Sequence, residues 1–203
     1  MAEASADRGR TTRQRLLGAA AALIAEAGWG AVSTRMVAER AGVAPGVVHY
    51  HFASLPDLLI AASTGVARMM LEELTARLAE QPDPETGVEW LLGELSRYTG
   101  TDPASLLLVE MYLAAARLPE LRDRLHEIVA DSRTQIASWL RDRGHADDAD
   151  AVAAVLVAAV DGLMLHRGLD PDLDFTALAG PLRALVRTDR TDRTDRHEEG
   201  SGT

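Results

Sequence analysis

A chain of 203 residues, 47% hydrophobic and 26% charged, is long enough for one sizeable core and too rich in core-forming side chains to be disordered. The absence of cysteine excludes disulfides, thiol catalysis and cysteine-based zinc sites. The net charge of −10 conceals a division: residues 1–52 carry six Arg against four acidic residues, and the remainder fifteen Arg against twenty-seven. Any nucleic-acid contact would thereby lie at the N-terminal end, and with no Lys in the chain its cations would be Arg, a protonated His or the N-terminal amine.

Aromatics are only 4%, and Ala and Leu supply most of the apolar content, which predicts an all-α fold. Residues 1–12 lack periodicity and read as a flexible arm. From 13 to 27, Leu16, Leu17, Ala20, Leu23, Ile24 and Ala27 share one helical face. Gly28 and Gly30 end that helix. Ser33 caps a second helix, 34–41, which stops at Gly42, where positive φ is commonly required. A short helix follows, with Pro45 in its first turn. Ser54, Pro56 and Asp57 then open a helix that runs to Ala79.

Beyond the break at 81–84, the pattern predicts helices at 85–98 and 103–117. Two long ones follow at 119–142 and 147–167, and a last one at 175–186. Residues 187–196 repeat Arg-Thr-Asp, and residues 188–203 read as a disordered tail. No uninterrupted apolar run reaches the ~18 residues of a membrane span, and residues 1–12 are polar, so the chain reads as cytoplasmic with no membrane partner.

Three helices with a glycine turn between the second and third describe a helix-turn-helix within residues 13–53. Gly28-Trp29-Gly30-Ala31-Val32-Ser33-Thr34-Arg35-Met36-Val37-Ala38-Glu39-Arg40-Ala41-Gly42-Val43-Ala44-Pro45-Gly46-Val47-Val48-His49-Tyr50-His51-Phe52 resembles the DNA-binding signature of the TetR family. The likeness lies in an aromatic after Gly, a Ser/Thr cap, an Ala-x-x-Ala-Gly-Val turn and an aromatic-rich recognition helix. Its specific part covers about a quarter of the chain. The rest resembles the family in layout, as a larger helical dimerisation and ligand-binding domain over residues 54–187.

The resemblance implies that Ser33 and Thr34 contact a phosphate at a helix N-terminus and that Arg35 reaches a guanine edge. Ala44, Pro45, Gly46 and Val47 would form the exposed start of the recognition helix. His49, Tyr50 and His51 would hold phosphates, and Phe52 would fill the core. Val48 reads as core. Two departures stand out. Leu55 replaces a common lysine, and the apolar start of the recognition helix leaves thymine methyls as its natural contacts.

The family layout further implies a homodimer on a palindromic DNA operator, acting as a repressor released by a small-molecule effector. Activation remains an alternative sign of regulation. The two long helices, with small residues such as Ala159 and Gly162, are the expected dimer contact. An effector pocket would be lined by Met69, Met70, Trp90, Tyr98, Met111, Tyr112 and Met164, with Glu94, Glu110 and His166 as polar handles. Glu110 interrupts an apolar stretch and has a second reading as a solvated residue facing Arg117. His126-Glu127 and His145 to Asp148 lack a further convergent ligand and read as surface, with no metal site. No Glu-x-x-His pair, phosphate loop or nucleophile motif marks an enzyme, and no cofactor is implied.

Overall fold

The computed structural model describes residues 2–145 and 148–187, and every regular element among them is helical. In chain order these are α1 (Ala2–Ala27), α2 (Thr34–Ala41), α3 (Pro45–His51), α4 (Leu55–Ala79), α5 (Pro84–Leu95), α6 (Pro103–Ala115), α7 (Pro119–Arg141), α8 (Ala149–Leu169) and α9 (Ala179–Leu185). Short 3-10 turns occupy Trp29–Ala31 and Phe175–Leu178.

The helix starts are written in the sequence. Proline stands in the first turn of α3, α4, α5, α6 and α7, where its missing N–H leaves no hydrogen bond unmade. Ser33 Oγ accepts from the Met36 N–H at 3.3 Å, and Ser54 Oγ from the Asp57 N–H at 3.2 Å. The Asp102 carboxylate accepts from the N–H groups of Ala104 and Ser105 at 3.1 and 3.0 Å. Burial pushes its pKa up, but the bonds from the Ser105 hydroxyl and N–H and from the Thr99 N–H outweigh burial and hold it below the usual carboxylate range. Gly42 ends α2 with φ 64°, the left-handed conformation that closes the turn before α3.

Three expectations need correction. Residues 2–12, read as an arm, continue α1 without a break. Alanine-rich composition favours the helix, and Asp7 adds support by pairing with Arg10 and accepting from the Thr11 hydroxyl through its carbonyl. The single helix expected at 175–186 is a 3-10 turn followed by α9. His145, read as surface, is buried: its Nε2 meets the Val186 carbonyl and its Nδ1 lies 3.1 Å from Asp148. The tail expected at residues 188–203 lies outside the described residues.

Two cores organise the packing. In the first, Leu16, Ala20 and Ile24 of α1 meet Val37, Val48 and Phe52 of the next two helices and Leu58 of α4. In the second, Val88, Leu91 and Leu92 of α5 meet Trp139 and Leu140 of α7 and Ala153, Leu156 and Val157 of α8. Helix α4 serves both, placing Leu58, Leu59 and Ala62 in the first and Leu78 in the second.

Helix α8 is apolar enough over 21 residues to satisfy a membrane-span criterion of length and composition. Its packing gives another reason for that composition. Val152, Ala153, Leu156 and Val157 are buried against α5 and α7. Its opposite side carries Ala151, Val155, Ala158, Gly162, Leu165 and Leu169 at alternating spacings of four and three, all exposed except the half-buried Gly162. The free side of α7, by contrast, is polar: Asp123, Arg124, Glu127 and Asp131 all face solvent.

Candidate nucleic-acid interface and adjoining cavity

The residues of α2 and α3 divide sharply between core and solvent. Val37, Ala38, Ala41 and Val48 are buried, while Arg35, Ala44, Pro45, Gly46, His49 and Tyr50 are exposed. Ser33, Thr34, Val47 and His51 are half-buried at the edge of the same surface. Tyr50 is 84% exposed on a seven-residue helix, its ring edge-on to His51 with centroids 5.1 Å apart. A large aromatic held in water by a short, well-anchored helix has no packing role within this chain. Nothing lies within 4 Å of a Cβ added at Gly46, so the backbone there is open to close approach.

The arginines of this end are not equivalent. Arg40 forms a two-bond pair with Glu26, at 2.8 and 2.6 Å. Arg13 lies over the Phe52 ring, 4.9 Å from its centroid. Arg15 donates to the Ala41 carbonyl at the end of α2, and Arg10 pairs with Asp7. Arg35 is exposed and makes no ion pair among the described residues. Leu55, standing in place of a common lysine, packs against the first core.

Between α4, α5, α6, α7 and α8 lies a cavity of about 760 Å³, within the range of small-molecule sites. Seven of the ten expected pocket residues line it: Met70, Trp90, Glu94, Tyr98, Met111, Tyr112 and Met164. Three do not. Met69 is 60% exposed on the outside of α4, one residue and about 100° of helix rotation from Met70. His166 is likewise on the outside of α8. Glu110 does something neither of its readings anticipated: its carboxylate accepts from the Trp29 N–H at 2.7 Å, across 81 residues of sequence.

That bond caps the first N–H of the 3-10 turn after α1, a donor with no partner inside the turn. A Cβ at Gly28 would lie 3.4 Å from the same carboxylate, so α6 and the α1 turn are in direct contact. Flanking Glu110, Leu107 and Met111 are each 4% exposed; they belong to the first core and also line the cavity. Helix α6 is therefore one wall shared by the two units.

Sequence reasoning found Glu94, Tyr98 and Tyr112 but missed the rest of the polar part of that cavity. Asp161 of α8 accepts a hydrogen bond from the Tyr112 hydroxyl, and burial raises the pKa of both groups. Arg122, His126 and Arg133 of α7 also reach the wall. His126, read as surface, is exposed but opens onto this cavity. Their spacing over eleven residues, one face of α7, was the available signal.

Comparison with known proteins places these features. Residues 16–62 match the model of bacterial regulatory proteins of the tetR family, and residues 82–189 that of the tetracyclin repressor-like C-terminal domain. The transcriptional regulator BetI of Rhizobium meliloti is 28% identical over 158 residues, 77% of this chain and 78% of that protein. An uncharacterized HTH-type transcriptional regulator of Mycobacterium tuberculosis is 27% identical over 93% of this chain and 98% of its own. The crystal structure of a regulator from Streptomyces coelicolor A3(2) superposes with a TM-score of 0.72 at 27% identity, covering 87% of this chain and 99% of that one. With both units matched in order and over most of its length, the chain belongs to the TetR family of DNA-binding transcriptional regulators, which are not enzymes.

Proposed function

We propose that this regulator is a cytoplasmic repressor that binds a palindromic operator as a homodimer and releases it when a small molecule fills the cavity beside α6. The observation that carries this reading is the double membership of Leu107 and Met111, which cannot move with an arriving ligand without disturbing the core beneath α2 and α3. Packed interiors transmit such displacements because they have little free volume to absorb them. Release then requires only that the two recognition helices leave the spacing of one DNA turn, about 34–36 Å. A coupling of about 2.7 kcal/mol changes operator affinity roughly a hundredfold.

In this reading Ser33, Thr34, His49, Tyr50 and His51 hold phosphates, Arg35 reads a guanine, and Ala44, Pro45, Gly46 and Val47 form the closest approach to the bases. Arg35→Ala is expected to cost about 1–3 kcal/mol on the cognate operator and to relax preference at one position. His51→Ala is expected to weaken all sequences alike, since phosphate contacts position the protein without reading sequence. Binding measured by anisotropy against an operator selected from a random pool, and against scrambled DNA, separates the two. Equal losses on both DNAs for Arg35→Ala would remove its role as a base reader.

Coupling is tested by reciprocity. An effector found by thermal-shift screening should bind more weakly to the operator complex by the same factor that it weakens operator binding. Identical effector affinities with and without operator would overturn the proposed release. Glu110 sits at the contact between the units, so Glu110→Ala should reduce the coupling energy by about 0.5–2 kcal/mol while leaving both separate affinities nearly intact. Glu110→Gln keeps an acceptor for the Trp29 N–H and should retain most of the coupling.

A further inference from the structure

The charged groups around the cavity are unevenly distributed. Glu73 pairs with Arg77 at 3.4 Å and Glu94 with Arg97 at 3.2 Å, so four of the eight Asp, Glu, Arg and His side chains on the wall neutralise one another. Asp161 is engaged by the Tyr112 hydroxyl, and burial shifts its carboxyl toward the neutral form. What remains is supplied by α7. Arg133 makes no ion pair among the described residues, Arg122 meets only its chain neighbour Asp123 at 3.6 Å, and His126 lies one turn from Arg122 on the same face. Facing them across the cavity are aliphatic walls from Leu71 and Leu74 of α4, Leu108 of α6 and Val160 of α8.

We infer that the cavity takes an amphipathic organic anion, its hydrocarbon body lying along α4 and α6 and its anionic head held by Arg133, with His126 and Arg122 two and three turns earlier on the same face of α7 adding positive potential. The inference rests on the reading of this cavity as the effector site and deepens it by naming the ligand's chemistry. An arginine fork suits a carboxylate or another oxyanion because two parallel N–H donors match two acceptor oxygens. A ligand cation is disfavoured because Glu73 and Glu94 already face arginines and Asp161 already accepts from the Tyr112 hydroxyl, so no carboxylate of the described wall stands without a partner.

Isothermal titration of the full chain with decanoate, decanol and decyltrimethylammonium, each below its micelle concentration, tests this at constant chain length. Decanoate is expected to bind roughly ten- to hundredfold more tightly than decanol, the increment of hydrogen bonds to a charged group. Arg133→Gln should erase that preference while leaving decanol affinity unchanged, and Ala104→Trp, which fills the cavity wall, should weaken all binding. Equal affinity for decanoate and decanol, tightest binding of the ammonium compound, or decanoate binding indifferent to Ala104→Trp would overturn the inference and leave the effector-site reading standing. Binding of none of the three would remove the effector-site reading itself, and the inference with it.

Discussion

Gly100→Ala is expected to destabilise the fold by about 2–5 kcal/mol, the sum of a backbone and a packing penalty. Gly100 has φ 78°, and a Cβ built there lies 2.2 Å from the Gly168 nitrogen and 2.6 Å from the Arg167 carbonyl carbon. Both obstacles are backbone atoms near the end of α8, so no side-chain rotation relieves the overlap. The loop between α5 and α6 would have to lift away from α8, taking with it the Thr99 N–H that donates to Asp102 at 2.9 Å. Against an ordinary domain stability of about 5–15 kcal/mol, this is a large fraction. Urea unfolding should show the midpoint falling with little change in slope. Gly93→Ala makes the opposite case. It lies within α5 with nothing inside 4 Å of the added Cβ, and alanine there should stabilise by up to about 1 kcal/mol. A midpoint for Gly100→Ala as high as that of the wild type would mean the α5–α6 loop does not lie against α8 in solution.

Ala158→Arg is expected to leave the protein monomeric at micromolar concentration and to weaken operator binding between about a hundredfold and ten-thousandfold. The stripe from Ala151 to Leu169 repeats every seven residues, and Val155, Leu165 and Leu169 are 48%, 41% and 83% exposed. Such a repeat is the pattern by which one helix packs along another, here most simply its own copy across a two-fold axis. An arginine at its centre would bury a charge without a partner. Two linked recognition helices gain the second half-site at high effective concentration, and a monomer forfeits that gain. Sedimentation velocity reads the first effect and anisotropy on a palindromic duplex the second. Glu127→Arg on the charged side of α7 serves as the comparison. If it dissociates the dimer as thoroughly, the interface includes α7 as the sequence first suggested; if only Ala158→Arg does, α8 carries it. A dimeric Ala158→Arg protein would place the interface elsewhere.

The helical layout was legible because its boundaries are local. Ser33, Gly42, Pro45, Ser54 and Pro56 each act within four residues of where they stand, and each occupies its expected role. The exposed side of α2 and α3 was legible for a similar reason: short helices with one apolar side leave little choice about which residues face water. The cavity was only partly so. Met69 and Met70 are chemically identical neighbours, and only the rotation of α4 against α6 and α7 decides which one faces inward. Glu110 depended on a donor 81 residues away, invisible to any periodicity. Arg122, His126 and Arg133 resembled the solvated side of any surface helix until α4 and α6 were placed opposite them. Residues 2–12 were misread because residues 7–12 have no buried face to generate a period, only favourable local composition.

The three tryptophans of the chain fall one to each station of this arrangement. Trp29 sits in the turn that Glu110 caps, Trp90 on the cavity wall, and Trp139 in the second core, 5% exposed. The molecule thus contains its own optical probes: under the proposed function, Trp90 stands where a ligand would enter, Trp29 where its effect would cross between units, and Trp139 away from both. Phenylalanine replacements leaving a single indole would let stopped-flow fluorescence time the arrival of a ligand at Trp90 against the response at Trp29. The interval between those two signals is the transit time of the switch, and Trp139 supplies its silent reference.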